Sequence, residues 1–186
     1  MSALQALLDT YRKTSTTERE KGTYFEELIA CYLRNEATYR DLYSDVWTYS
    51  DWARLQGLDG RDTGIDLVAK TNGTGEYHAI QCKLYAEDYR LQKGDIDSFF
   101  TASGKKPFTH RIIIATTDKW SEHAEDALQN QQPPVSKIDL HDLENSQIDW
   151  SHYHPKSKPA LKTKKQLRDH QRFALEATKR GLATAC

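Results

Sequence analysis

GRDTGIDLVAK at residues 60–70, TNGTGE at 71–76 and YHAIQCKLY at 77–85 form the stretch on which the fold turns. Ile65 to Lys70 and Tyr77 to Tyr85 are apolar-rich runs, and Asn72-Gly73 between them is a dipeptide that readily takes the positive φ of a tight hairpin turn. Two neighbouring strands are therefore expected. Side chains two apart on a strand share a face, so Gln81 and Lys83 project together while Ile80, Cys82 and Leu84 point to a core on the other side. Asp66 falls in the first strand. Polar side chains in otherwise apolar strands need one another or a bound ion; the alternative is an exposed edge ladder with incidental charge pairing.

The flanking sequence supplies the other layers. Ser2 to Lys13 has Leu4, Leu7, Leu8 and Tyr11 at helical spacing, and Thr17 with Glu20 has the pattern of a capping box opening a second helix to about Asn35. Its residues Phe25, Leu28, Ile29, Tyr32 and Leu33 make one stripe, with Glu26 on the flank and Glu27 on the more polar side. Asp45 to Trp52 (DVWTYSDW), rich in aromatic residues, reads as a strand, and Gly57 to Gly64 as a loop. Lys93 to Ser103 reads as a helix with Ile96, Phe99 and Phe100 inward. RIIIATT at 111–117 is the uninterrupted run of a strand buried on both faces. Ser121 to Gln131 reads as a helix capped by Ser121, and Val135 to Leu140 as a last strand. Together these make a three-layer α/β fold with helices on both sides of a mixed sheet. Residues 1–150 are expected to form this domain, 151–165 (SHYHPKSKPALKTKK) a basic linker, and 166–186 the start of another domain with a helix at 166–180.

Composition narrows the function classes. A net charge of -1 argues against binding nucleic acid through bulk charge, and leaves open a site where acids are concentrated and balanced elsewhere. No apolar run reaches membrane-spanning length, and the N-terminus lacks a signal-peptide pattern, so a cytoplasmic protein with no membrane contact is expected. Cys31, Cys82 and Cys186 are too scattered for a disulfide framework or zinc site. No GxxxxGK[ST] phosphate loop occurs, which disfavours a nucleotide-binding protein.

Phosphodiester hydrolysis needs a cation that offsets charge on phosphate and activates water, held by carboxylates beside a base or orienting cation. Asp66, Gln81 and Lys83, with Glu26 on the preceding helix, offer those groups. Other candidates have plainer readings. Asp59 and Asp62 lie in a Gly-rich turn where acids usually cap their own backbone. His141, His152 and His154 sit in polar sequence as solvated histidines. Trp47, Tyr49 and Trp52 suit packing as well as base stacking. Lys105, Lys106 and Arg111 are candidate DNA phosphate contacts, or else a solvated turn.

GTYFEELIACYL, GRDTGIDLVAK and AIQCKLY resemble the Mrr-like branch of the PD-(D/E)xK nucleases, in which Gln commonly replaces the second acid. The run from DVWTYSDW through QKGDIDSFFTASGKKPFTHR, TTDKWSEHAEDAL and IDWS resembles the N-terminal nuclease domain of Type ISP restriction-modification enzymes, over about residues 20–150. LRDHQRFALEAT at 167–178 resembles the opening of the motor that follows it there. The resemblance implies a restriction-endonuclease-like fold and a Mg²⁺-dependent endodeoxyribonuclease, with Mn²⁺ as an alternative ion, acting on double-stranded DNA. In it Asp66 is the main metal ligand, Gln81 and the Cys82 carbonyl a second contact, Glu26 an auxiliary ligand and Lys83 the residue that positions or activates water. It also implies motor, methyltransferase and target-recognition domains in one parent polypeptide, with ATP entering only through a motor absent here. The alternative is a DNA-binding or docking module that keeps the fold without catalysis.

Overall fold

The computed structural model describes residues 1–61 and 63–162. The helix expected at 166–180 and the domain expected at 166–186 lie outside the described residues. Helix α1 (Ala3–Thr14) opens on a reciprocal capping box between Ser2 and Gln5, and α2 (Glu18–Asn35) opens on the Thr17 side chain, which accepts from the Glu20 N–H. Glu20 completes that cap one residue earlier than expected, its carboxylate accepting from the Thr16 N–H at 2.7 Å. Helix α3 (Ala37–Leu42) leads into strand β1 (Tyr43–Thr48).

The strand expected over Asp45 to Trp52 stops at Thr48, and Tyr49–Leu55 forms helix α4. The Thr48 side chain accepts from the Asp51 N–H at 3.2 Å, and its hydroxyl donates to the Asp51 carboxylate at 2.8 Å. This Thr-x-x-Asp pair satisfies the first orphan donors of a helix and outweighs the β preference of the aromatics around it. Burial then fixes the turn, because Trp52 and Ala53 go into the core.

Strands β2 (Leu67–Thr71) and β3 (Tyr77–Lys83) form the expected hairpin, with Gly73 at φ +79° in its turn. After β3 come a 3₁₀ turn (Lys93–Asp95), α5 (Asp97–Ser103), β4 (Phe108–Ala115), α6 (Glu122–Leu128), β5 (Val135–Ile138) and α7 (Leu140–Glu144). The sheet order is β1-β2-β3-β4-β5, antiparallel through β3 and parallel from β3 to β5. Helix α7 is absent from the sequence reading; its Asp139 and Asp142 form a short capping box of the same kind as Thr48 and Asp51.

Alternation along the strands builds two cores. Leu67, Ala69, Ile80, Ile112 and Ile114 meet Leu8 of α1 and Phe25, Leu28 and Ile29 of α2. Val68, Ala79, Ile113 and Ala115 meet Trp52 of α4, Phe99 of α5 and Ala124 of α6. Strand β4 is thus apolar on both faces, as its sequence requires. Residues 151–162, expected as linker, run back along the body: Tyr153 is buried, Asp149 N–H donates to the Ala160 carbonyl at 2.8 Å, and Lys162 N–H donates to the Gln147 carbonyl at 2.7 Å. No helix among the described residues is long and apolar enough to cross a membrane.

Candidate active site

The site forms where β2 begins and β3 ends. Asp66 immediately precedes β2, one residue short of the expected strand, yet its backbone is still clamped on both sides. Its N–H donates to the Ile80 carbonyl at 3.0 Å and its carbonyl accepts from the Tyr49 N–H at 2.8 Å. The Asp66 carboxylate reaches across to β3 and accepts from the Cys82 N–H at 2.6 Å. A carboxylate held by a backbone donor in this way keeps one fixed direction.

Gln81 is 1% exposed. Its Nε2 donates to the Gly64 carbonyl at 3.3 Å, while its Oε1 is buried with no hydrogen-bond partner among the described residues. Leaving a buried carbonyl oxygen unpaired costs about 1–3 kcal/mol, so the direction of that oxygen needs an explanation beyond packing. The direction comes from Gly64, whose φ of +85° turns its carbonyl toward Gln81. A Cβ at Gly64 would come within 2.9 Å of Ser98 Oγ and 3.2 Å of the Phe99 N, so glycine lets the loop lie against the first turn of α5.

Lys83, two residues beyond Gln81, is half-buried; its carbonyl accepts from the Thr116 N–H at 3.1 Å, while its ammonium makes no hydrogen bond or ion pair with any described residue. The Cys82 side chain lies on the opposite face against the first core, so its part in the site is its backbone, whose N–H holds Asp66. Burial pushes the Cys82 thiol well above its ordinary range, with the Asp66 and Glu26 carboxylates adding to the rise and the Lys83 ammonium opposing it. That thiol is neutral at pH 7.

Asp66, Gln81 and Lys83 line one hollow of about 490 Å³ together with Gly64 and Ser98. Asp66 also lines a larger groove of about 930 Å³ whose other wall is α2, and Glu26 faces that groove. Asp66 thus lies where two hollows meet, sharing one with Gln81 and Lys83 and the other with Glu26. Oxygen donors dominate the setting, which suits a hard divalent cation: the Asp66 carboxylate, the orphaned Gln81 Oε1 and, across the groove, Glu26. Among the described residues, no three His, Cys, Asp or Glu side chains converge as a ready metal cage.

The remaining candidates separate clearly. Arg111 is 2% exposed and does not serve as a phosphate contact. Its Nη1 donates to Gln131 Oε1 at 2.9 Å, its Nη2 to the Gln132 carbonyl at 3.3 Å, and its guanidinium lies 5.2 Å from the Phe100 ring centre. The apolar strand that follows carries it inside, and burial pulls its pKa down. Lys105 and Lys106 are exposed and border a hollow of about 520 Å³ that shares Thr63 and Ser98 with the Gln81 hollow. Asp59 accepts from Arg61 N–H and Nε within its own loop, and Asp62 lies outside the described residues. His141 bonds Asn145, His152 bonds Asp149, and His154 is exposed, so the three do not converge. Trp52 is core, Tyr49 and Trp47 pack on the same second core, and Trp47 also borders a hollow lined by α2. Thr63, whose Oγ1 is buried without a partner among the described residues, and Ser98 are site neighbours the sequence reading missed; only their proximity to Gly64 in space singles them out.

A family model described as restriction endonuclease (Mrr_cat_2) matches residues 34–160, more than half the chain, and the protein belongs to that family. Among solved structures, the chain is similar to the ATP-dependent Type ISP restriction-modification enzyme LlaBIII bound to DNA, at 31% identity and a TM-score of 0.72, over 95% of this chain and 11% of that one. It thus spans about a tenth of that enzyme's length. A weaker likeness, at 14% identity and a TM-score of 0.42, covers 76% of this chain and 29% of MspJI restriction endonuclease in complex with a 27-mer oligonucleotide. No curated protein matches the chain. The five-stranded mixed sheet between helices is the restriction-endonuclease-like fold, and the family is one of nucleases.

Proposed function

We propose that this chain is a metal-dependent endodeoxyribonuclease domain, hydrolysing phosphodiester bonds of double-stranded DNA with Mg²⁺ or Mn²⁺. The observation that carries the reading is the buried Gln81 Oε1, without a partner among the described residues, beside the fixed Asp66 carboxylate and a Lys83 ammonium likewise unpaired among them. Asp66, Gln81 Oε1 and the Cys82 carbonyl would hold the ion, with Glu26 as auxiliary ligand. A bound divalent cation supplies charge neutralisation at phosphate and a more acidic water. Lys83 orients that water and stabilises charge on the phosphate oxygens, Asp66 keeps its direction through the Cys82 N–H, and Gln81 is aimed by the Gly64 carbonyl. Lys105 and Lys106 meet flanking phosphates along the hollow they border. By its likeness to the Type ISP enzyme, the chain serves as the cleavage module of a translocating single-chain restriction-modification protein, in the cytoplasm, with a motor, methyltransferase and target-recognition domain in the same polypeptide. The boundaries 1–150, 151–165 and 166–186 belong to the same reading, as does ATP use confined to the motor.

An amide oxygen attracts Mg²⁺ less than a carboxylate does, so the free domain binds the ion poorly and DNA phosphate completes the site. Calorimetric titration of Mg²⁺ into the Lys83→Ala chain, with and without duplex DNA, tests this. Binding that rises with DNA and is lost in Asp66→Ala is expected. Ion binding indifferent to Asp66, or none even with DNA, would overturn it. The second reading, a DNA-binding module without catalysis, is favoured by the absence of three converging acids among the described residues, and predicts DNA binding that metal leaves unchanged.

A further inference from the structure

The groove of about 930 Å³ between α2 and the loop before Asp66 has a wall the nuclease chemistry does not account for. Arg19, Gly22, Thr23 and Glu26 all line it. They stand at i, i+3, i+4 and i+7, one continuous stripe on a helix. The stripe begins with an exposed guanidinium that has no ion-pair partner among the described residues and ends on the candidate metal ligand. Seven residues at 1.5 Å each put those ends about 10 Å apart along the axis, about three base-pair rises of 3.4 Å.

Gly22 is the residue out of place. A glycine inside a helix costs about 1 kcal/mol relative to alanine, and nothing in the backbone here requires one. A Cβ at position 22 would meet only Glu26 Oε1, at 3.7 Å, an ordinary contact. The position tolerates a side chain sterically, and any longer one would extend over the Glu26 carboxylate and fill the groove. On the facing wall Arg61 sits on a loop held down by Gly60, where a Cβ would come within 3.3 Å of the Ser50 Cα. Arg61 is 87% exposed and its pairing with Asp59 is an exposed one that yields easily to phosphate.

We infer that this groove is the track for one DNA strand: Arg19 and Arg61 clamp backbone phosphates on either wall, and Gly22 leaves the space through which the sugar-phosphate backbone approaches Glu26 and Asp66. Arginine suits the role because its planar fork pairs bidentately with phosphate. The inference rests on the nuclease reading for its ligand, and its test is binding, which needs no cleavage.

The experiment measures fluorescence anisotropy of a labelled duplex with the full chain in EDTA across a salt series. It compares wild type with Arg19→Ala, Arg61→Ala, Gly22→Gln, and Arg40→Ala, a control that removes the same charge from α3. Each lost phosphate contact lowers the slope of log K against log salt by about 0.9. Arg19→Ala and Arg61→Ala should each lose about one unit of slope, Arg40→Ala none. Gly22→Gln should weaken binding at least about tenfold while its Tm stays level or rises, as its higher helix propensity requires. Slopes equal to wild type in both arginine variants with Gly22→Gln binding normally would overturn the inference, as would no DNA binding by wild type. Reduced slopes in a chain that never nicks plasmid would keep the track and remove the nuclease reading instead.

Discussion

The two ends of β3 carry comparable polar groups and treat them oppositely. At its start, His78 accepts or shares a proton with Tyr43 Oη at 2.9 Å and lies 5.0 Å from the His110 ring, which in turn bonds Ser136 Oγ at 2.9 Å. At its end, Gln81 leaves an oxygen buried and unpaired, and Lys83 finds no partner among the described residues. The first cluster is closed by its own side chains and holds neutral imidazoles. The second is open, so its polar atoms are complete only with something the described residues do not supply. Arg111, one strand over from Gln81 on the same face, shows that burial alone does not make a site: its Nε is buried without a partner among the described residues, yet both its terminal nitrogens are bonded within the fold.

The contrast can be broken at its closed points first. Arg111→Ala should cost about 3 kcal/mol of stability, because it strands the Gln131 and Gln132 acceptors and empties the contact with Phe100. Denaturant melts would register it, and the salt dependence of DNA binding should not change. Next in size, Gln81→Leu should lower metal-dependent nicking by about 10²-fold, equivalent to about 2.7 kcal/mol, while Tm changes little, because removing the orphaned oxygen offsets the lost bond to the Gly64 carbonyl. A large fall in Tm with activity retained would show Gln81 to be structural.

Acid provides the third comparison. Burial, with help from His110, pulls the His78 pKa down to about 4, and burial lowers His110 as well. An unfolded histidine binds its proton near pH 6.5. Between about pH 6.5 and 4 the unfolded chain therefore binds more protons, and stability must fall as pH falls, by up to about 2–3 kcal/mol from His78. Urea melts at pH 7 and 4.5 should differ less in His78→Phe than in wild type; an identical pH response in both would separate this pair from the acid sensitivity. Smallest of all, Gln81→Glu should tighten Mg²⁺ binding to the free chain about tenfold, about 1.4 kcal/mol, as read by calorimetry.

Much of this was legible in the sequence because it depends on periodicity and capping. The alternation of Ile112, Ile113 and Ile114 and the Asn72-Gly73 turn specify the hairpin and the doubly buried strand. The failures are local competitions. At Thr48–Asp51 a side-chain cap beat aromatic β preference, and at Asp139–Asp142 the same kind of cap made a helix too short to show a period. Asp66, Gln81, Lys83 and Glu26 were readable as types and spacings. Arg111 was not, since its partners Gln131 and Gln132 lie 20 residues or more away in sequence and only the fold turns them back. Gly22 carries no pattern until Glu26 is seen beneath it.

The most direct test of the open end of β3 is nicking of supercoiled plasmid by the chain at high concentration with Mg²⁺ or Mn²⁺, in wild type, Asp66→Ala and Lys83→Ala. Metal-dependent nicking that falls by about 10²-fold or more in both variants is the predicted result, that being the scale for removing one acid-base group. Nicking of equal strength in all three proteins would contradict the account and place the chemistry elsewhere.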